Sequence, residues 1–164
     1  MRTALLTIST SVANRRSEDA GGPRLAHLAE QAGAVVDAME VLPDDLALIE
    51  DRLHHYAEAG FDLVLTTGGT GLTPDDVTPE ATRAAIDREV PGIAEALRAA
   101  SLAHTPMGML SRGVSGLVGG TLVINLPGSP KALDQLFPVL TPVLRHAVAT
   151  AQREGGRDRG GHGA

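Results

Sequence analysis

The sequence predicts an α/β fold on a mostly parallel sheet, and three observations carry that prediction. Short, β-leaning apolar runs alternate with amphipathic helical stretches from residue 3 to residue 67, the pattern of successive βαβ crossovers. Gly119-Gly120 separates two strand-like runs, which reads as a two-residue hairpin turn and makes part of the sheet antiparallel. Between these regions the run Phe61-Asp62-Leu63-Val64-Leu65 leads straight into the glycine-rich segment Thr66-Thr67-Gly68-Gly69-Thr70-Gly71. In open α/β sheets ligands bind just beyond the carboxyl ends of strands, which is where this segment falls.

Each element has its own local signal. Residues 3–9 form the first strand, because the apolar run is short and stops at Ser9-Thr10-Ser11 rather than continuing as a signal peptide does. Residues 10–22 are polar and end in glycines, so they form a loop. A helix over residues 23–32 carries Leu25, Leu28 and Ala29 as its apolar stripe, with Pro23 in its first turn and Gly33 as its C-terminal stop. The second strand spans residues 34–42. Pro43 ends it and Asp44 reads as the N-cap of a helix over residues 45–59, in which Leu46, Ile49, Leu53 and Tyr56 recur at helical spacing. Gly60 closes that helix and the third strand covers residues 61–67.

After the glycine loop, Thr78 reads as the cap of a short helix with Pro79 at its first position and Glu80 favouring the dipole. Pro91-Gly92 interrupts it, and a second helix with Ile93, Leu97 and Ala100 runs to about residue 103. Residues 110–118 read as a Gly-rich strand, and residues 121–125 return as its hairpin partner. Ser129 is an N-cap and Pro130 a first helical position; Pro138 and Pro142 are expected to break that helix and to start another at Thr141, ending near Arg153. Residues 1–153 therefore read as one domain. Residues 154–164 are Gly-, Arg- and Asp-rich and are expected to be a disordered tail.

Composition limits the function classes. Fourteen basic residues against 20 acidic ones give a net charge of −6, with no basic cluster in the body of the chain, which argues against nucleic acid as a partner. The lack of cysteine removes disulfides, thiolate catalysis and Cys-based zinc sites, and fits a reducing cytoplasm. No apolar run approaches the length of a membrane span. The six histidines never fall at i, i+4 on one helix, so they do not read as a metal site.

The chemistry concentrates at one sheet edge. Gly68, Gly69 and Gly71 permit positive φ and close ligand approach, and successive N–H groups of such a turn form a concavity for anions. The same composition also serves a plain tight turn. The loop is neither a Walker loop, which needs Gly-Lys-Ser/Thr, nor a dinucleotide fingerprint, whose glycine spacing differs. Asp75 and Asp76 follow it, and Asp44-Asp45 stands after the second strand. Two carboxylate pairs beside an anion cradle point to Mg²⁺ and phosphate chemistry; the alternative for Asp44 and Asp45 is that they only cap a helix.

Thr67-Gly68-Gly69-Thr70-Gly71, followed by Asp76-Val77-Thr78-Pro79-Glu80-Ala81-Thr82, resembles the signature of the molybdenum-cofactor biosynthesis (MoaB/Mog) family. Asn125-Leu126-Pro127-Gly128-Ser129-Pro130-Lys131-Ala132 is similar to its second motif and Leu42-Pro43-Asp44 to its third loop; Glu89-Val90-Pro91-Gly92 and Leu110-Ser111-Arg112 also fit. The resemblance covers about residues 3–150, and the length matches the molybdopterin adenylyltransferase branch. It implies a three-layer α/β/α sandwich assembled as a homotrimer or a dimer of trimers. It implies a Mg²⁺-dependent nucleotidyltransferase in which the molybdopterin phosphate attacks the α-phosphate of ATP and pyrophosphate leaves. The molybdate-inserting enzyme is a further partner it implies.

Carried over by position, Asp44 and Asp76 are the catalytic, Mg²⁺-associated carboxylates. Gly68, Gly69, Thr70 and Gly71 cradle the pterin phosphate, and Ser111, Gly128, Ser129, Pro130 and Lys131 line the pterin and nucleotide pocket. Lys131 either neutralises phosphate or points to solvent. Thr10 and Arg15 stand where the family often has an aspartate and a mid-loop glycine, while Asp19 and Gly21 keep their places. Two other readings share these motifs: a non-catalytic molybdopterin-binding trimer, and a nucleotide pyrophosphatase related to the competence-damage domain.

Overall fold

In the computed structural model, which describes residues 1–153, a six-stranded sheet in the order β2-β1-β3-β6-β5-β4 is covered by helices on both faces. The chain runs β1 (Arg2–Ile8), α1 (Thr10–Ala13), α2 (Gly21–Gln31), β2 (Val35–Leu42), α3 (Leu46–Glu58), β3 (Leu63–Thr67), α4 (Thr78–Ala85), β4 (Arg88–Glu89) and α5 (Pro91–Leu102). A 3-10 helix (Pro106–Leu110), the hairpin β5 (Ser115–Val118) and β6 (Thr121–Leu126), then α6 (Pro130–Leu140) and α7 (Leu144–Ala151) complete it. β2, β1, β3 and β6 are mutually parallel, and β5 pairs antiparallel with both β6 and β4. This is the three-layer α/β/α sandwich, mostly parallel with an antiparallel hairpin, that the sequence and its resemblance imply.

Strand alternation builds the two cores. Leu5, Leu63, Leu65 and Ile124 pack with Leu25 and Ala29 of α2, Leu97 of α5, Leu133 and Phe137 of α6, and Leu144 of α7. Their neighbours Ala4, Leu6, Val64 and Val123 point the other way, toward Ile49, Leu53 and Tyr56 of α3 and Ala81 and Ala85 of α4. The central strands are apolar on both sides because both faces are covered.

Several local expectations change. Residues 10–22 are not all loop: Ser9 accepts a hydrogen bond from Val12 N and caps the four-residue α1. α2 begins at Gly21, because Asp19 Oδ1 accepts from Gly22 N at 2.8 Å. The cap of α3 is Asp45, whose Oδ1 accepts from Leu48 N at 2.9 Å, not Asp44, which is held elsewhere. Thr78 is the first residue of α4 rather than its cap, and its hydroxyl donates to the Gly68 carbonyl at 3.0 Å. Pro138 lies inside α6 and does not break it: it is exposed, and Leu136, Phe137 and Leu140 around it are buried, so packing outweighs one missing hydrogen bond on the solvent side. The Gly-rich strand begins only at Ser115, and Leu110 ends the 3-10 helix. The two-residue β4 was not anticipated. The expected tail, residues 154–164, lies outside the described residues. No helix among the described residues is long and apolar enough to cross a membrane.

Candidate functional site

β1 is flanked by β2 on one side and β3 on the other, so the chain reverses its direction of winding between β1 and β3. A crevice opens at such a switch point, beyond the carboxyl ends of the strands. A polar cavity of about 320 Å³ lies there, lined by Ser9 after β1, Asp44 after β2, Gly68 and Gly69 after β3, and Gly128 after β6. A second cavity of about 400 Å³ lies beside it under α5 and the 3-10 helix, lined mainly by apolar groups such as Leu97, Leu110 and Leu136.

The glycine loop is the partition between them. Gly68 and Gly69 face the polar cavity, while Thr70 and Gly71 face the apolar one. The second loop divides in the same way, with Pro127 on the apolar side and Gly128 on the polar side. The partition is thin at Gly68 and Gly69, where side chains are excluded. Gly68 and Gly69 take φ of 98° and 66°, and a Cβ on Gly68 would run into the Ile8 carbonyl. A Cβ on Gly69 would run into the Thr78 hydroxyl and lie 3.3 Å from Asp44 Oδ1. Thr67 Oγ1 donates to the Pro127 carbonyl at 2.7 Å and ties the two loops together.

Both aspartates singled out from the sequence line the polar cavity, and each is oriented by a threonine. Asp44 Oδ2 accepts from Thr10 N at 2.9 Å and Thr10 Oγ1 at 2.8 Å. Asp76 Oδ2 accepts from Thr73 N at 2.9 Å and Thr73 Oγ1 at 2.8 Å. In each carboxylate one oxygen is spent on this clamp. Glu18 and Asp19 line the same cavity; Asp19 is spent on Thr7 Oγ1 and on the first turn of α2. Four carboxylates thus surround a cavity whose lining, among the described residues, contains no lysine or arginine. The N-terminal turn of α2 opens into it at Gly21, where the helix dipole favours negative charge.

Among the remaining predicted residues, Ser111 lines the apolar cavity. Ser129 accepts from Ala132 N at 3.1 Å and caps α6, with Pro130 and exposed Lys131 in its first turn; these three residues line neither cavity. Among the described residues no group of three or more His, Cys, Asp or Glu is placed to hold a metal.

Sequence reasoning assigned no role to Arg112, yet it ties the glycine loop in place. Its backbone N–H donates to Thr70 O at 3.0 Å. Its Nε donates to Gly71 O at 2.7 Å and a terminal nitrogen to Asp76 O at 2.7 Å. The other terminal nitrogen forms an ion pair with Glu80. Hydrogen bonding to Arg112 holds the Glu80 carboxyl below its ordinary range, against a smaller opposing effect of burial. Asn125 was expected as the last residue of a strand and the first of a loop motif, with no contacts assigned to it. It is buried, donates to Thr66 Oγ1 and Thr82 Oγ1 at 3.0 and 2.9 Å, and accepts from Val114 N at 3.1 Å, so it joins β6 to β3, α4 and the segment before β5.

A family model described as "Probable molybdopterin binding domain" matches residues 4–146. The molybdopterin adenylyltransferase of Haemophilus influenzae is 44% identical over 143 residues, covering 81% of this chain and 72% of that protein. The molybdenum cofactor synthesis protein cinnamon of Drosophila melanogaster is 37% identical over 146 residues, 88% of this chain but 24% of its own. The chain spans less than half the length of several curated relatives that it matches. The crystal structure of the molybdopterin biosynthesis enzyme MoaB from Thermus thermophilus superposes with a TM-score of 0.87 at 42% identity, covering 93% of this chain and 97% of that one. With its glycine partition and paired aspartates at the switch point of the sheet, this chain belongs to the MoaB/Mog family of molybdopterin-binding domains, the molybdenum-cofactor biosynthesis family.

Proposed function

We propose that the protein is a molybdopterin adenylyltransferase, transferring AMP from ATP to the molybdopterin phosphate with release of pyrophosphate. The observation that carries this reading is the thin glycine partition between an apolar and a polar cavity. A flat ring fits the apolar side, a nucleotide triphosphate fits the polar side, and their phosphates meet at Gly68–Gly71. A phosphate oxygen of the pterin forms the new bond to the α-phosphorus, and the bond from that phosphorus to pyrophosphate breaks. Such a reaction asks the protein for positioning and charge neutralisation rather than covalent chemistry.

Asp44 and Asp76 are the catalytic carboxylates in this reading, and their free oxygens would hold Mg²⁺. A polar cavity ringed by carboxylates and lacking a basic side chain repels a triphosphate unless a cation enters with it, which supports the Mg²⁺ dependence. Mg²⁺ there would neutralise charge on the transferred phosphoryl group and on the leaving pyrophosphate. The backbone of Gly68, Gly69, Thr70 and Gly71 cradles the pterin phosphate. Ser111 and Gly128 line the two cavities, and Ser129, Pro130 and Lys131 set the start of α6 beside them. The homotrimer, or a dimer of trimers, belongs to the same reading: Met39 and Val41 lie 51% and 38% exposed on one side of the edge strand β2 and offer a face for another copy.

The test is incubation of the pure protein with molybdopterin, ATP and Mg²⁺. Formation of adenylylated molybdopterin and pyrophosphate is the expected result. Tight pterin binding without product would leave a non-catalytic binding trimer, and nucleotide cleavage independent of pterin would leave a nucleotide pyrophosphatase. Light scattering that finds a monomer at micromolar concentration would remove the assembly.

A further inference from the structure

Arg98 stands apart from every other residue of the apolar cavity. Among the described residues it is the sole charged side chain in a lining otherwise made of aliphatic, thioether, glycine, hydroxyl and amide groups. It has no acidic partner: the ion pairs of the described residues include Arg2, Arg24, Arg52, Arg83 and Arg112 but not Arg98. One terminal nitrogen donates to Gly113 O at 2.9 Å and to Ser111 O at 3.5 Å. Its Nε and second terminal nitrogen make no hydrogen bond among the described residues, so three of the five guanidinium N–H groups remain free. Of the other polar groups of the cavity, the amide and two of the hydroxyls are engaged within the fold, and every one of them is uncharged. Asn125 uses both amide hydrogens and its oxygen within the fold, and Thr105 and Ser111 accept from nearby backbone N–H groups.

A half-buried guanidinium without a carboxylate, set in an apolar wall, keeps its full attraction for an incoming anion. We propose that Arg98 is a substrate-recognition residue that binds an anionic substituent carried by a flat heterocyclic ligand, whose ring packs against Leu97, Leu110 and Leu136. This rests on the proposed function in taking the cavity as the ring pocket. Within that function the glycine loop takes the phosphate, so Arg98 takes the charge at the other anionic group of molybdopterin, its pair of thiolates. The fork of free N–H groups suits two adjacent acceptors.

The test compares the intact chain with Arg98→Lys and Arg98→Met, using fluorescent pterin-6-carboxylate and uncharged 6-methylpterin as probes, with Mg²⁺-ATP binding and thermal denaturation as controls. Arg98→Met is expected to weaken the carboxylate about 10- to 100-fold while changing 6-methylpterin by less than about twofold, with Arg98→Lys between. Equal losses for both pterins would show that Arg98 only fixes the 111–113 segment, and unchanged affinity for the carboxylate would also overturn the proposal. A third probe, anilinonaphthalene sulfonate, separates the two claims. If the wild-type chain binds neither pterin but binds this anionic ring in an Arg98-dependent way, the pterin function falls and the anion-binding role of Arg98 stands. If no anionic ring binds the wild-type chain, the proposal for Arg98 falls.

Discussion

Thr10 and Asp44, 34 residues apart, are joined by three hydrogen bonds: Thr10 N and Oγ1 donate to Asp44 Oδ2 at 2.9 and 2.8 Å, and Asp44 N donates to Thr10 Oγ1 at 2.9 Å. The hydroxyl both donates to and accepts from Asp44, and Thr10 itself does not line the polar cavity. It acts through Asp44. Thr10→Ser keeps the hydroxyl and is expected to bind Mg²⁺-ATP like the wild type. Thr10→Val removes two of the three bonds, frees the carboxylate, and is expected to weaken Mg²⁺-ATP about tenfold, roughly 1.4 kcal/mol. Thr10→Asp sets a second carboxylate against Asp44 and should weaken ATP further when Mg²⁺ is scarce. Calorimetric titrations across Mg²⁺ concentrations check all three; matching curves for Thr10→Val and wild type would show that the clamp has no role.

Asp76 has the same clamp from Thr73, but local in sequence. Asn at position 76 keeps an oxygen for Thr73 and loses the charge. Asp76→Asn is therefore expected to leave the melting temperature and pterin affinity in place and to lower the rate of adenylyl transfer at least about 100-fold, or 2.7 kcal/mol. Near-wild-type turnover would remove Asp76 from the catalytic pair.

Arg112 holds the carbonyls of Gly71 and Asp76 and pairs with Glu80. Its removal should loosen the partition without touching either core. Arg112→Met is expected to lower turnover more than about tenfold while raising the KM for the pterin by less, because a displaced loop misplaces phosphates that still bind. Arg112→Lys reaches one partner at a time and should recover part of the rate. Equal loss in Arg112→Met and Arg112→Lys of both stability and rate would reduce Arg112 to a fold residue.

The contrast between Asp44 and Arg112 shows what the sequence makes legible. The sheet, its hairpin and the glycine loop follow from local periodicity and turn chemistry, and the motifs brought Asp44 and Asp76 forward. Which of two adjacent aspartates caps α3 does not follow locally. Either has the right chemistry, and Thr10 decides by occupying Asp44. Thr78 is likewise drawn from capping by the Gly68 carbonyl, ten positions away. Arg112 reaches partners 32 to 41 residues distant, and no spacing rule announces such a contact. β4 is two exposed residues paired to Gly116 and Leu117, too short to carry a period.

Glu80 gives the pair with Arg112 a pH signature. Its folded carboxyl titrates below the ordinary range, so the pair contributes stability above the unfolded carboxyl pKa and loses it as pH falls through the lower, folded value. Glu80→Gln removes that contribution. The stability gap between wild type and Glu80→Gln should be present at neutral pH, shrink below about pH 4.5, and close at lower pH. Because the side chains are partly exposed, salt should narrow the gap. Chemical denaturation of both proteins across pH reads it directly, and a gap independent of pH would mean that the ion pair does not stabilise the fold.

Arg15 occupies the left-handed region at φ 56°, the sole non-glycine residue with positive φ among those described. It does so where the loop turns from α1 toward the polar cavity, with its N–H on the Val12 carbonyl at 2.9 Å. A side chain in this region costs about 1–2 kcal/mol relative to glycine, while glycine returns part of that through a more flexible unfolded chain. Arg15 is exposed and forms no ion pair among the described residues, so removing its side chain sacrifices no such contact. Arg15→Gly is therefore expected to stabilise the protein by about 0.5–1 kcal/mol, or about 1–4 °C in melting temperature. Arg16 is equally exposed and lies outside the positive-φ set, so Arg16→Gly carries the entropic cost alone and should fall slightly below wild type. The pair separates backbone strain from loss of positive charge, since both changes remove one arginine from the same loop. Thermal denaturation in the same buffer decides between them: a gain for Arg15→Gly with a loss for Arg16→Gly is strain relief, and equal shifts of one sign would show that charge, not backbone, sets the stability of this loop.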